Sequence, residues 1–139
     1  MAKLVLDIIE EYPFLLFGIS STASDYRICW SLNKALTLSM KREKSVELFK
    51  KGSGVSEHCL YTYASELEQA TYRFVENKAG GSLLLSEIPK ADYFLMVDDS
   101  PAVDSNELLR KLRAIKIIRM AFPVNIESLK MKQNLLLTT

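Results

Sequence analysis

The chain predicts a two-layer α+β domain: an antiparallel sheet of about five or six strands, two main helices, and a short C-terminal helix or turn. Three observations point there. The segments Phe14 to Ile19 and Tyr93 to Val97 are apolar on both faces, the pattern of buried central strands. Each leads through capping residues into an amphipathic helical stretch. Between the helices lie alternating runs joined by short polar turns, which suits an antiparallel meander.

Taken in order, Leu4 to Ile9 is rich in Val and Ile and reads as a strand. Phe14 to Ile19 follows, and then Ser20, Ser21, Thr22 and Ser24, hydroxyls that cap helices well and sit poorly inside them. A helix therefore starts near Thr22 or Ser24, with Thr22 and Asp25 at capping-box spacing. At 100° per residue, Asp25, Ile28, Cys29, Leu32, Ala35 and Leu36 share the sheet-facing arc, opposite Arg27, Ser31 and Lys34. Tyr26, Asn33 and Trp30 fall at or beyond its edge, so the helix's own sheet covers Trp30 by half at best.

Lys41 to Lys44 reads as a charged connector and Val46 to Lys50 as an edge strand, closed by a turn at Gly52 to Gly54. Residues 57–64 alternate, with Cys59, Tyr61 and Tyr63 on one face and His58, Leu60 and Thr62 on the other. With Thr71 to Glu76 they form a hairpin. Asn77 to Gly81 is a turn, with a short strand after it. Asp104 and Glu107 cap a second helix carrying Leu108, Leu112 and Ile115 on one stripe. Ile117 to Phe122 is a last strand stopped by Pro123, and Asn125 opens a short turn or helix before the apolar tail Leu135 to Leu137. Ferredoxin-like and TATA-binding-protein-like topologies both fit this order. With both helices on one face, the other needs cover from the C-terminal tail or a second subunit.

A length of 139 residues suits a single domain, residues 1–139. The 18 Lys and Arg balance 17 Asp and Glu to a net charge of +1, so no global field draws in nucleic acid or an anionic bilayer. Asp7, Glu10 and Glu11 interrupt the apolar N-terminus, and no run reaches membrane-spanning length; a cytoplasmic protein is expected. Cys29 and Cys59 lack CxxC spacing and read as buried free thiols.

No catalytic set converges. His58 and Cys59 are neighbours on a strand, point to opposite faces and cannot share a metal by themselves. Neither a metal nor a cofactor is expected. Gly18 to Thr22 begins like a nucleophile elbow but lacks its second glycine. The carboxylate pairs Glu10/Glu11 and Asp98/Asp99 diverge if extended. The hydroxyls Ser20, Ser21, Thr22 and Ser24 at a helix N-terminus could meet an anion, although capping alone accounts for them. Tyr61, Tyr63, Tyr72 and Phe74 could stack bases, but the basic glycine-aromatic consensus of sheet-surface RNA binders is absent.

The stretches FGISS (17–21), DYRICWSLNKAL (25–36), DYFLMV (92–97) and IESLKMKQNLLL (126–137), with a GG pair followed by LLL, resemble the IPExxxVDY family, small bacterial proteins of unknown function. Counted back without a gap from Asp92 and Tyr93, the family motif falls on Leu85, Ser86, Glu87, Ala91, Asp92 and Tyr93. Glu87, Asp92 and Tyr93 match it; Leu85, Ser86 and Ala91 depart, and Ile88-Pro89 is a local coincidence. The resemblance implies descent and carries no activity.

The function expected is non-enzymatic: a protein-interaction module acting as a homodimer or as an adaptor for another cytosolic protein, through Tyr26, Trp30, Tyr61 and Tyr63. The alternative is a regulatory domain binding a small anionic metabolite at Ser20 to Ser24.

Overall fold

A computed structural model describes residues 14–50, 52, 54–129, 134, 135 and 138. The strand expected at Leu4 to Ile9 lies outside them, as does part of the C-terminal tail. The chain runs β1 (Phe14–Ser20), α1 (Asp25–Leu36), β2 (Lys41–Lys50), β3 (Gly54–Ser65), β4 (Ala70–Glu76), β5 (Lys78–Ala79), β6 (Ser82–Leu83), β7 (Tyr93–Asp98), α2 (Ser105–Arg113), β8 (Met120–Pro123) and a 3-10 turn at Ile126–Ser128. It is an α+β fold.

Among the described residues, six strands form one antiparallel sheet in the order β2-β3-β4-β7-β1-β8, and β5 and β6 make a separate small hairpin. The two segments apolar on both faces are neighbours in it: β1 pairs with β7 from Phe14↔Asp98 to Ile19↔Tyr93. Strands β7 and β8 both run antiparallel to β1 and are joined through α2. They therefore run parallel with β1 between them, the split β-α-β unit of ferredoxin-like domains.

Both helices lie on one face. Ile28, Cys29 and Leu32 of α1 and Leu108 and Leu112 of α2 share a core with Phe17, Ile19, Tyr72, Phe74, Tyr93, Leu95 and Val97. Phe74 is fully buried there, its ring centroid 5.2 Å from Tyr93 and 6.0 Å from Tyr61. The opposite face carries Leu16, Val46, Leu60, Val75, Phe94 and Met96, and the chain covers it with Leu84, Leu85, Ala91, Leu129 and Leu135. Own-chain segments, the tail residue Leu135 among them, thus supply cover that the sequence left open between the tail and a second subunit.

Four expectations are corrected. Lys41 to Lys44 is no connector: it is the start of β2, an edge strand whose charges and irregular register between Glu43 and Val46 discourage further strand pairing. Of the two expected helix starts Ser24 is the cap, accepting the Arg27 N–H, and the Thr22 capping box does not form. Ala35 is exposed although the arc placed it inward. The last strand begins at Met120, because turns with Ile115 N–H to Leu112 O and Ile118 N–H to Ile115 O occupy the preceding residues. Pro123 belongs to that strand, which is tolerable because β8 is an edge.

Candidate functional site

The β1 to α1 turn is the place where a helix N-terminus and four hydroxyl residues meet. Ser20, Ser21 and Ser24 are engaged within the chain. Ser21 Oγ donates to Ile117 O at 2.5 Å and accepts the Ala23 N–H at 3.1 Å. The Ser21 N–H donates to Asp92 Oδ2 at 2.9 Å, and Ser20 Oγ donates to the same oxygen at 3.3 Å. Asp92 Oδ1 is 3.0 Å from Lys78 Nζ. The Asp92 carboxylate thus already takes the Ser21 N–H and the Ser20 hydroxyl, and Ser24 is spent on the cap. Thr22 is exposed.

Asp92 and Tyr93 reach that turn because the loop before them is held by one amide. Asn77 is fully buried; its Nδ2 donates to Ile88 O and Ala91 O, and its Oδ1 accepts the Leu85 N–H. This pulls Leu84 and Leu85 under the second sheet face and delivers Tyr93, whose hydroxyl donates to Ala23 O at 2.8 Å. Asp92 and Tyr93 close the fold here, whereas Glu87 is exposed in the loop.

On the other flank of the helix start, Tyr61 donates to Asp25 Oδ2 at 2.9 Å, with Arg42 Nη1 3.9 Å from that oxygen and its guanidinium 5.7 Å from the Tyr61 ring. Burial, then the Asp25 hydrogen bond, pushes the Tyr61 hydroxyl up to about 12. Burial chiefly, and Asp25 after it, pushes the Cys29 thiol up to about 11. Cys59 rises to about 11 from burial and then from Glu76 and Asp25. Both thiols stay protonated at neutral pH, so neither offers the thiolate that nucleophilic chemistry needs. His58 is fully buried, with Nδ1 2.9 Å from Glu76 O and Nε2 2.8 Å from Ser56 Oγ. The carbonyl can only accept, so His58 Nδ1 carries a proton, and the Ser56 hydroxyl also lies 3.5 Å from Leu48 O. Asp98, paired in sequence with Asp99, accepts the Thr71 N–H and faces Arg73 at 3.6 Å. Among the described residues, no three of His, Cys, Asp or Glu gather to hold a metal, and no helix is long and apolar enough to cross a membrane.

The outer face of α1 is different in kind. Tyr26 is 69% exposed and Trp30, one helical turn on, is 57% exposed. The two stand on a ridge between two grooves. One groove has Met40, Lys41, Arg42 and Tyr61 on its far wall, and the other Arg27, Ser31 and Ile117. Lys34 Nζ lies 5.2 Å from the Trp30 ring centroid.

The sequence-predicted residues therefore separate into three groups. Tyr26 and Trp30 come together on the surface. Tyr61 is buried at a groove wall, and half-buried Tyr63 packs against the helix-side core. Ser20, Ser21, Ser24, Asp92 and Tyr93 form the structural closure. Sequence reading passed over Asn77 and Arg42: an Asn beside a Gly-Gly turn looks like turn chemistry, and Arg42 sat in a segment taken for a connector. Compared with models of protein families and with curated proteins, the chain gives no match.

Proposed function

We propose that this protein is a non-enzymatic interaction module acting in the cytosol, with the outer face of α1 as its docking surface. One observation carries the reading: two large aromatic side chains at adjacent turns of a helix stand exposed, with a groove on either side. Solvent-exposed Trp and Tyr beside Arg is the composition of interface anchors. The fold itself does not require them there, because the helix buries its opposite face with Ile28, Cys29 and Leu32. Membership of the IPExxxVDY family is part of the proposal, with Asp92 and Tyr93 of its motif serving the fold. The metabolite reading is less favoured, because Asp92 already holds the Ser21 N–H.

A photocrosslinking side chain in place of Tyr26, in the full-length protein in its native cells, tests this. A discrete adduct of higher mass, lost on adding Trp30→Ala, is the expected result. Leu67, 94% exposed at the β3 to β4 turn, is the control position. No adduct at position 26, or the same adduct from position 67, would overturn the reading.

A further inference from the structure

Resting on that docking face, we propose that its occupant is an acidic segment of another protein with an apolar side chain seated beside Trp30, and not a second copy of this chain. Among the described residues, the charged side chains lining the two grooves are Arg27, Lys41 and Arg42, and Lys34 reaches over Trp30. Asp25 is already engaged by Tyr61 and Arg42. Beyond the Asp25–Arg42 pair, a chain of net charge +1 thus gathers three cations, Arg27, Lys34 and Lys41, around one pair of exposed aromatics.

Such an arrangement selects its partner in two ways. Cations at the rim steer an acidic segment in and repel a basic one, while the ridge and the apolar walls Met40 and Ile117 take up its apolar side chain. A second copy docked about a two-fold axis would bring Arg27, Lys34 and Lys41 against the same three residues, a like-charge contact. Nor is a copy needed on the other apolar surface, since Leu84, Leu85, Leu129 and Leu135 cover that sheet face.

Trp30 is the sole tryptophan of the chain, so its fluorescence reports this face alone. The full-length protein is titrated with a synthetic twelve-residue peptide of Glu with Leu and Phe at helical spacing. The same peptide with Gln for Glu, the same with Lys for Glu, and a twelve-nucleotide oligothymidine serve as comparisons. The Glu peptide is expected to bind at least tenfold tighter than the Gln peptide and the Lys peptide to leave the fluorescence unchanged. R27E/K34E/K41E, with an unchanged far-UV spectrum, is expected to abolish Glu-peptide binding. In wild-type protein, raised salt should weaken it. Equal binding of Glu and Gln peptides overturns the acidic partner while leaving the docking face intact. Oligothymidine binding tighter than every peptide overturns both. Dimerisation lost in the charge-reversed variant, or no response to any peptide, overturns the inference, and the Tyr26 crosslink then decides the docking face separately.

Discussion

The Asp92 carboxylate accepts the Ser21 backbone N–H at 2.9 Å across 71 residues of sequence, tying the loop before β7 to the turn that opens α1. Removing it leaves a part-buried N–H without its acceptor, a cost of about 1–3 kcal/mol. Asp92→Ala should therefore lower unfolding stability by that order in a denaturant titration. Asp92→Asn should lose less, because an amide oxygen can still accept the N–H while only the half-exposed Lys78 pair is given up. Wild-type stability in Asp92→Ala would remove the bracket from the account.

Asn77 does a comparable task with no charge. Its amide donates to two carbonyls and accepts one N–H, all within the loop 77–91. Asn77→Ala should cost about 1–3 kcal/mol for the groups left unpaired. Asn77→Asp should cost more, since it turns a carboxylate toward Ile88 O and Ala91 O. Chemical denaturation of the two variants gives the order, and an Asp variant as stable as the Ala variant contradicts the assigned amide orientation.

Much of this fold was legible because hydrophobic periodicity reports burial directly. Phe14 to Ile19 and Tyr93 to Val97 could only be central strands, and Ile28, Cys29 and Leu32 fixed the inner face of α1. Charge misled at Lys41 to Lys44, where an edge strand exposes the same residues a connector would. The exposure of Trp30 followed from its helical phase. Its cationic surroundings did not, because Lys41 and Arg42 come from another element and only the tertiary arrangement brings them beside α1. Asn77 was illegible for the same reason: its partners lie 8 to 14 residues ahead in a loop without periodicity.

Gly18 pairs with Phe122 across β1 and β8, and a Cβ placed on it would overlap the Phe122 ring. The ring would have to move off the strand, with overpacking costs of about 1–3 kcal/mol. Gly18→Ala should show that loss in thermal melts, and adding Phe122→Leu should recover part of it. If Gly18→Ala is as stable as wild type, the close approach is not a constraint.

Alkaline pH should destabilise the protein through its two thiols, Cys29 buried and Cys59 only half-buried where the sequence had placed both inside. Cys29 and Cys59 rise from 9.0 to about 11 on folding, mainly through burial, so the fold favours their neutral forms. Their contribution to stability is complete below about pH 9 and is lost as pH rises from 9 to 11. Melting temperature should fall across that window, and less in C29A/C59A. At pH 8 the thiolate fraction, and with it alkylation by iodoacetamide, should be about 100-fold lower in native protein than in denatured protein. Native labelling at the denatured rate would show that folding does not protect the thiols.

The charge around Trp30 can be measured without knowing any partner. An exposed indole is quenched by small solutes, and ions report the sign of the local field because their concentration near the ring follows the potential. With Arg27, Lys34, Lys41 and Arg42 around it, Trp30 should be quenched by iodide roughly twofold or more better than by caesium at low ionic strength, with neutral acrylamide effective throughout. Raising the ionic strength should bring the two ions together, since screening at about 1 M salt acts within about 3 Å. R27E/K34E/K41E should invert the preference. Poor quenching by all three solutes at monomeric dilution would mean that Trp30 is covered within the isolated protein, and the docking face would then be lost. Equal quenching by iodide and caesium at low salt would keep the exposed ridge but remove the charge on which an acidic partner depends.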